Sequence, residues 1–260
     1  MAEAGRTTAG AGAFDDTFTC HVINLARTPQ RWFSFCAQNE GCGIDFRRFE
    51  AVDGSKIGFD EAIRRKIIKP GSQWDSKGRI GVAMSHLELW QRTVAGGRPL
   101  IVLEDDAFVR DDIKTAFTAA LARLADPWEF ILFGYNTDSL VEFNLVGDID
   151  LGGTFSVRYP TPDQLAQFVR STDPVNLLRL RHAFGPCGYA VSPEGARKLT
   201  AACFPMDNRI IGFSTVRRRM AAFSFDSMLN AAYPSIAAFV CIPPLVLTAN
   251  DKATSTISSR

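Results

Sequence analysis

Three consecutive carboxylates, Glu104-Asp105-Asp106, close an apolar run, Leu100-Ile101-Val102-Leu103, that follows Pro99. Side by side they repel one another, and desolvation at the mouth of a core raises their pKa values further. A hard divalent cation with oxygen ligands offsets both effects, so the triplet is a candidate metal centre. If the strand stays extended, alternate side chains share a face, with Glu104 and Asp106 on one side and Asp105 on the other. Two carboxylates are too few for a protein-only cage. They suit Mg²⁺ or Mn²⁺ shared with substrate phosphates. Helix capping and solvation are the bland alternative. The apolar run before the acids weakens it, as does Asp111, which is better placed to cap the helix that follows.

Other polar residues fall at the ends of expected elements. Asn24 lies near the end of the first apolar run, Phe18 to Leu25. Asp53 sits in an Asp53-Gly54 turn signal and doubles as a candidate ribose acceptor. Arg27 and Arg31 share a helical face or its approach, where a guanidinium can meet a phosphate bidentately. His86 adjoins the apolar stripe of a helix. It is either a hydrogen-bonded residue at the edge of the core or a donor to a phosphate or sugar. No G-x-S-x-G, G-x-x-x-x-G-K-[ST] or G-x-G-x-x-G motif occurs, and His21, His86 and His182 are too scattered to argue a metal triad.

The elements that must position these residues follow from periodicity and punctuation. Strands are expected at 18–25, 46–52, 99–104, 130–133, 187–191 and 237–242. Helices are expected from Pro29, over 59–69 and 81–94, from near Asp111, from Pro193 to about Cys203, and over 225–232. Thr28 and Ser192, each followed by proline, are start signals for two of them. Strand and helix alternate through the first half, which predicts an α/β fold with a mostly parallel central sheet flanked by helices. Residues 136–180, with Gly152-Gly153 and three prolines, read as an irregular insertion. Residues 1–17 read as a disordered tail, leaving one domain over 18–257.

The bulk composition limits the function classes. A chain of 260 residues, 46% hydrophobic and 22% charged, is ordinary globular material with ample core. The formal net charge of +1 gives no general nucleic-acid footprint. The six cysteines form no C-x-x-C pair, and three of them, Cys20, Cys187 and Cys241, lie in apolar runs. That usage fits a reducing cytoplasm. No run reaches 18 apolar residues, so no transmembrane span is expected. Arg217-Arg218-Arg219 reads as a solvated face or as a peripheral contact with an anionic membrane surface.

Taken in order, the motifs resemble glycosyltransferase family 25, which includes lipopolysaccharide, lipooligosaccharide and collagen galactosyltransferases. The resemblance rests on Val22-Ile23-Asn24-Leu25-x-Arg27-x-x-x-Arg31, Phe49-Glu50-Ala51-Val52-Asp53-Gly54, Gly81-Val82-Ala83-Met84-Ser85-His86-Leu87 and Leu103-Glu104-Asp105-Asp106-Ala107. Gly188-Tyr189-Ala190-Val191-Ser192, Phe225-Asp226-x-x-Leu229 and Pro243-Pro244-Leu245-Val246 extend it. It implies a GT-A-like fold, a UDP-sugar donor (commonly UDP-galactose), a divalent metal and inversion at the anomeric carbon. Carried over, Glu104 and Asp106 hold the metal and Asp105 the nucleotide. Asn24, Arg27 and Asp53 lie on nucleotide-side strands, and Ser85 and His86 on a helix facing the donor. The acceptor is then the hydroxyl of a glycan or lipooligosaccharide. Its general base is expected to be Asp226, which follows an apolar approach and matches the family's late aspartate, with Asp207 as the alternative. An N-cap role competes for Asp226. Residues 136–180 and Asn208–Met220 depart from the family pattern. A catalytically silent nucleotide-sugar or partner-binding relative, and a metal-dependent phosphohydrolase, are the competing readings.

Overall fold

The computed structural model describes residues 14–74 and 76–250. The chain runs β1 (Thr19–Asn24), α1 (Pro29–Gln38), β2 (Phe46–Glu50), α2 (Phe59–Arg64), α3 (Lys77–Gly96), β3 (Leu100–Glu104), β4 (Ala107–Val109), α4 (Ile113–Ala122) and β5 (Phe130–Gly134). It continues through β6 (Leu140–Val146), β7 (Ile149–Thr154), α5 (Pro162–Val169), β8 (Asn176–Ala183), β9 (Gly188–Val191) and α6 (Pro193–Cys203). The last elements are β10 (Ile210–Phe213), β11 (Arg218–Ala221), α7 (Phe225–Ala232), β12 (Ala238–Ile242) and β13 (Val246–Thr248).

Nine strands form one sheet in the order β2-β1-β3-β9-β5-β12-β8-β6-β7. Its centre is apolar in continuous runs because both faces are covered. Along β3, Leu100 and Val102 pack with α3, α6 and α7, while Ile101 and Leu103 pack with α1 and α4. In β5, Phe130 and Leu132 face the first layer, and Ile131 and Phe133 the second. This is the expected α/β fold with helices on both faces, and its sheet is mixed. The pairs β1·β2, β1·β3 and β5·β12 are parallel. Strand β9 inserts antiparallel between β3 and β5, and β8, β6 and β7 continue antiparallel.

This topology decides where a site can form. Strands β1, β2, β3 and β5 end at the same edge, and β9 begins there, with Gly188 opposite both Leu103 and Gly134. Loops leaving that edge carry residues 25–28, 51–56, 105–106, 135–136 and 184–187. Ligands of open α/β sheets collect at this kind of edge.

Three expectations change. Residues 136–180 are not irregular, because they supply β6, β7, α5 and most of β8. The prolines bracket elements instead of breaking them. Pro162 opens α5 behind Thr161, whose hydroxyl accepts from Gln164 N at 3.3 Å while Gln164 Oε1 accepts from Thr161 N at 2.9 Å. Gly152 gives Thr215 room, since a Cβ there would lie 2.0 Å from Thr215 Oγ1. The expected tail is ordered from Phe14 onward, where Phe14 packs on Phe18 and Phe117. The rest of that tail, residues 1–13, lies outside the described residues, as do 251–257 of the expected domain. Helix α2 stops at Arg64 and not at 69, because Lys66 turns at φ 56° and Ile68 bridges to Met206.

Candidate functional site

A cleft of about 710 Å³ opens along the shared strand edge, within the range of small-molecule sites. The acidic turn, the 53–55 turn, helix α3 and the start of α7 form its walls.

The extended conformation stops at Glu104, and Asp105 and Asp106 occupy a turn. Strand alternation therefore does not set their directions; side-chain partners do. Asn24 Nδ2 donates to Asp105 Oδ2 at 2.6 Å and to the Thr28 carbonyl at 3.1 Å. Asn24 Oδ1 accepts from Arg48 Nε at 2.8 Å. Arg31 Nε donates to Asp105 Oδ1 at 2.8 Å, and the same guanidinium lies 3.2 Å from Asp106 Oδ2. Arg31, a candidate phosphate ligand by sequence, is thus spent on the acidic turn. Asn24 is buried and acts through Asp105. Charge-assisted bonds of this kind are the strong ones.

Glu104 and Asp106 are left with little compensation. Burial, with the Asp106 and Asp105 charges, pushes the Glu104 carboxyl well above its ordinary value. Burial likewise raises Asp106, against the opposing pull of Arg31. Asp106 Oδ1 is buried and has no hydrogen-bond partner. Among the described residues no group of three or more His, Cys, Asp or Glu is arranged to hold a metal. Two electron-rich carboxylates, one with an orphaned oxygen, fit a divalent cation that completes its shell from phosphates and water.

The wall formed by the 51–54 segment and α3 depends on a close backbone crossing. A Cβ on Gly54 would lie 1.8 Å from the Lys77 carbonyl, and one on Gly81 would lie 2.6 Å from both Val52 O and Gly54 N. With both glycines in place, Ser85 Oγ accepts from Val52 N at 2.9 Å and donates to the Gly81 carbonyl at 2.8 Å. Ser85 therefore fastens the 51–54 segment to α3. Asp53 Oδ1 accepts from Ser55 N at 3.1 Å and from Ser55 Oγ at 2.7 Å, and these bonds hold its pKa below the ordinary value. Arg27 lies 3.5 Å from Asp53 across the cleft rim. Gly81→Ala should destabilise the protein by about 1–3 kcal/mol through overpacking, although alanine is otherwise the better helix residue by about 1 kcal/mol. Thermal melting checks this; an unchanged or raised Tm would show that the crossing can relax.

His86 lies on the floor of the cleft. Its Nδ1 is 2.8 Å from the Tyr189 hydroxyl, which also accepts from Trp90 Nε1 at 3.0 Å. The ring stacks on Phe225, with centroids 4.4 Å apart and planes at 14°. Burial pushes the imidazole pKa down to about 3, so His86 is neutral at physiological pH. Asp226 lines the same cleft. Ser224 is the N-cap of α7, and Asp226 stands two residues inside the helix. Its Oδ1 accepts from Ser227 N at 2.9 Å and from the Ser224 hydroxyl, and its Oδ2 accepts from Gly185 N at 3.3 Å.

The structure therefore gathers Arg27, Asp53, Ser85, His86, Glu104, Asp105, Asp106 and Asp226 around one cleft, with Asn24 buried behind Asp105. Asp207 stands apart from the lining. Its Oδ1 accepts from Arg209 Nε at 2.7 Å and from Arg209 N at 3.2 Å, which leaves it a turn-stabilising ion pair. Sequence reasoning missed Tyr189, Gly185, Ser224, Lys77 and Arg79 as parts of the site. Tyr189 lies inside the Gly188–Ser192 motif, but nothing in the sequence shows that it reaches a histidine 103 positions away.

The sequence model of "Glycosyltransferase family 25 (LPS biosynthesis protein)" matches residues 18–210. Asp226 lies beyond that match. A "Glycosyltransferase 25 family member" of Drosophila pseudoobscura pseudoobscura is 27% identical over 189 residues, covering 70% of this chain and 26% of that protein. The Aedes aegypti protein of the same name is 31% identical over 125 residues, covering 44% and 20%. A human protein named "Inactive glycosyltransferase 25 family member 3" is 33% identical over 137 residues, covering 46% and 22%. The chain thus matches roughly a quarter or less of the length of these relatives. With the family match spanning residues 18–210, the chain belongs to glycosyltransferase family 25.

Proposed function

We propose that this chain is an inverting glycosyltransferase that moves a sugar, galactose being the first to test, from a UDP-sugar to the hydroxyl of a glycan or lipid-linked glycan. The observation that carries the reading is the pairing of two under-compensated carboxylates, Glu104 and Asp106, with a third, Asp226, in one cleft. Glu104 and Asp106 would hold Mn²⁺ or Mg²⁺, which as a Lewis acid stabilises the negative charge on a departing diphosphate. Asp105, clamped by Arg31 and Asn24, orients the acidic turn. Arg27 and Asp53 flank the place for the nucleoside. Asp226 is the base that would take the proton of the attacking hydroxyl, acting within hydrogen-bond reach.

The names of several relatives favour a second reading, a silent relative that binds the sugar nucleotide without turning it over. A screen of nucleotide sugars with and without Mn²⁺, read by thermal melting and then by product formation, separates the two. A true donor present at 100 times its Kd should stabilise the fold by about 2.7 kcal/mol, a rise of several degrees in Tm. Stabilisation without transfer or donor hydrolysis supports the silent reading. Release of inorganic phosphate from simple esters would favour a phosphohydrolase instead.

A further inference from the structure

His86 has a feature that the transferase reading does not use. Its Nδ1 and the Tyr189 oxygen are 2.8 Å apart, and either could carry the shared proton. Trp90 settles the direction. Indole Nε1 is only ever a donor, so at 3.0 Å it must donate to the Tyr189 oxygen. The tyrosine proton then needs an acceptor, and His86 Nδ1 is the one within reach. The reverse arrangement, with Nδ1–H donating to Tyr189, would leave the buried tyrosine hydroxyl proton with no acceptor, a costly state. Tyr189 is fully buried and burial raises its pKa, so it keeps that proton. The imidazole proton therefore sits on Nε2. The ring cannot turn to hide it, held as it is by Phe225 on one face and Tyr189 beside it. Nε2 has no hydrogen-bond partner among the described residues, and His86 lines the cleft.

We propose that Tyr189 is a positioning residue that locks His86 as the Nε2–H tautomer, giving the cleft a fixed, uncharged N–H donor for an oxygen of the bound nucleotide sugar. This rests on the transferase reading for the identity of the ligand, while the tautomer itself does not. An uncharged donor suits this place. A cationic imidazolium would compete with a metal for the carboxylates, and an Nε2 acceptor would repel phosphate and hydroxyl lone pairs.

The test uses the full chain labelled with ¹⁵N-histidine. Long-range ¹H–¹⁵N spectra distinguish a protonated from an unprotonated ring nitrogen, and the His86→Gln spectrum identifies which of the three histidines is His86. The expected result is a protonated Nε2 and an acceptor Nδ1 without ligand, and loss of that single-tautomer signature in Tyr189→Phe. UDP-sugar binding should weaken about 3- to 10-fold in Tyr189→Phe, the range of one neutral hydrogen bond. His86→Gln, whose amide reaches the Nε2 position, should hold affinity within a few-fold, whereas His86→Asn, which reaches only Nδ1, should not. Melting curves of each variant establish that the fold is kept, with His86→Gln the comparison if Tyr189→Phe is poorly folded. A wild-type ring protonated on Nδ1 would overturn the proposal. So would unchanged affinity in both Tyr189→Phe and His86→Asn. If the unsubstituted protein binds no nucleotide sugar, the transferase reading and the ligand assigned to His86 fall together, and the tautomer remains readable on its own.

Discussion

Asp106→Asn should abolish sugar transfer and cation-dependent donor binding together while leaving the metal-free protein as stable as before, or more stable. The reasoning starts from the raised carboxyls. Burial first, then the charge of neighbouring acids (Asp106 and Asp105 on Glu104, Asp105 on Asp106), holds both carboxyls above their ordinary values of 4.5 and 3.8. A carboxylate with a raised folded-state pKa stabilises the fold while it remains protonated, and that contribution is lost as pH rises from the unfolded value through the folded one. At neutral pH the acidic turn is therefore a liability unless a cation neutralises it. Asparagine removes one of the repelling charges. It still offers an oxygen to Arg31 but is a poor ligand for a hard cation. EDTA-treated wild-type protein should lose stability as pH is raised above about 4, and Mn²⁺ should restore it; Asp106→Asn should show a smaller loss, because Glu104 is still buried, and no recovery with Mn²⁺. Asp105→Asn should behave differently. Asp105 is bound by Arg31 and Asn24, and hydrogen bonds to charged groups contribute about 1.5–3 kcal/mol each, so this variant should melt lower at neutral pH with or without metal. Full turnover by wild-type protein in excess EDTA would remove the cation from the account.

Some of this was legible in the sequence because it depends on local pattern. A strand covered on both faces must be apolar throughout, so Leu100–Leu103 could be read as central and the acids after it as a rim. Ser192 with Pro193 announced α6, and the Asp53-Gly54 signal announced a turn. What escaped depends on distant partners. The apolar run Gly188–Val191 says nothing of strand direction, and only the fold shows it running antiparallel between β3 and β5. The conformation of Asp105 and Asp106 is set by Arg31, 74 positions from Asp105. Gly54 and Gly81 read as a turn residue and an ordinary helix residue, while together they permit the backbone contact that fixes Asp53 and Ser85. Residues 136–180 looked irregular because the Gly152-Gly153 pair sits inside an edge strand and prolines flank a helix start, where sequence pattern reads them as loop signals.

Asp226→Asn should lower kcat by about 10²–10⁴-fold, the range for a lost general base, with donor affinity and its metal dependence kept. The geometry makes the variant informative. Asparagine oriented with its carbonyl toward Ser227 N and Ser224 keeps the bonds that Oδ1 accepts. Its amide then replaces Oδ2 and gives up the 3.3 Å bond from Gly185 N, because two donors would face each other. Apart from that one bond, what changes at the cleft is the capacity to accept a proton. Asp207→Asn supplies the contrast. Asp207 is tied to Arg209 away from the cleft, so its loss should lower Tm and leave kcat within a few-fold of wild type. If Asp226→Asn instead weakened donor binding with kcat preserved, Asp226 would belong to the donor site and the base would have to be sought elsewhere on the rim. If Asp207→Asn gave the larger fall in kcat, the 204–209 segment would have to move into the cleft during turnover.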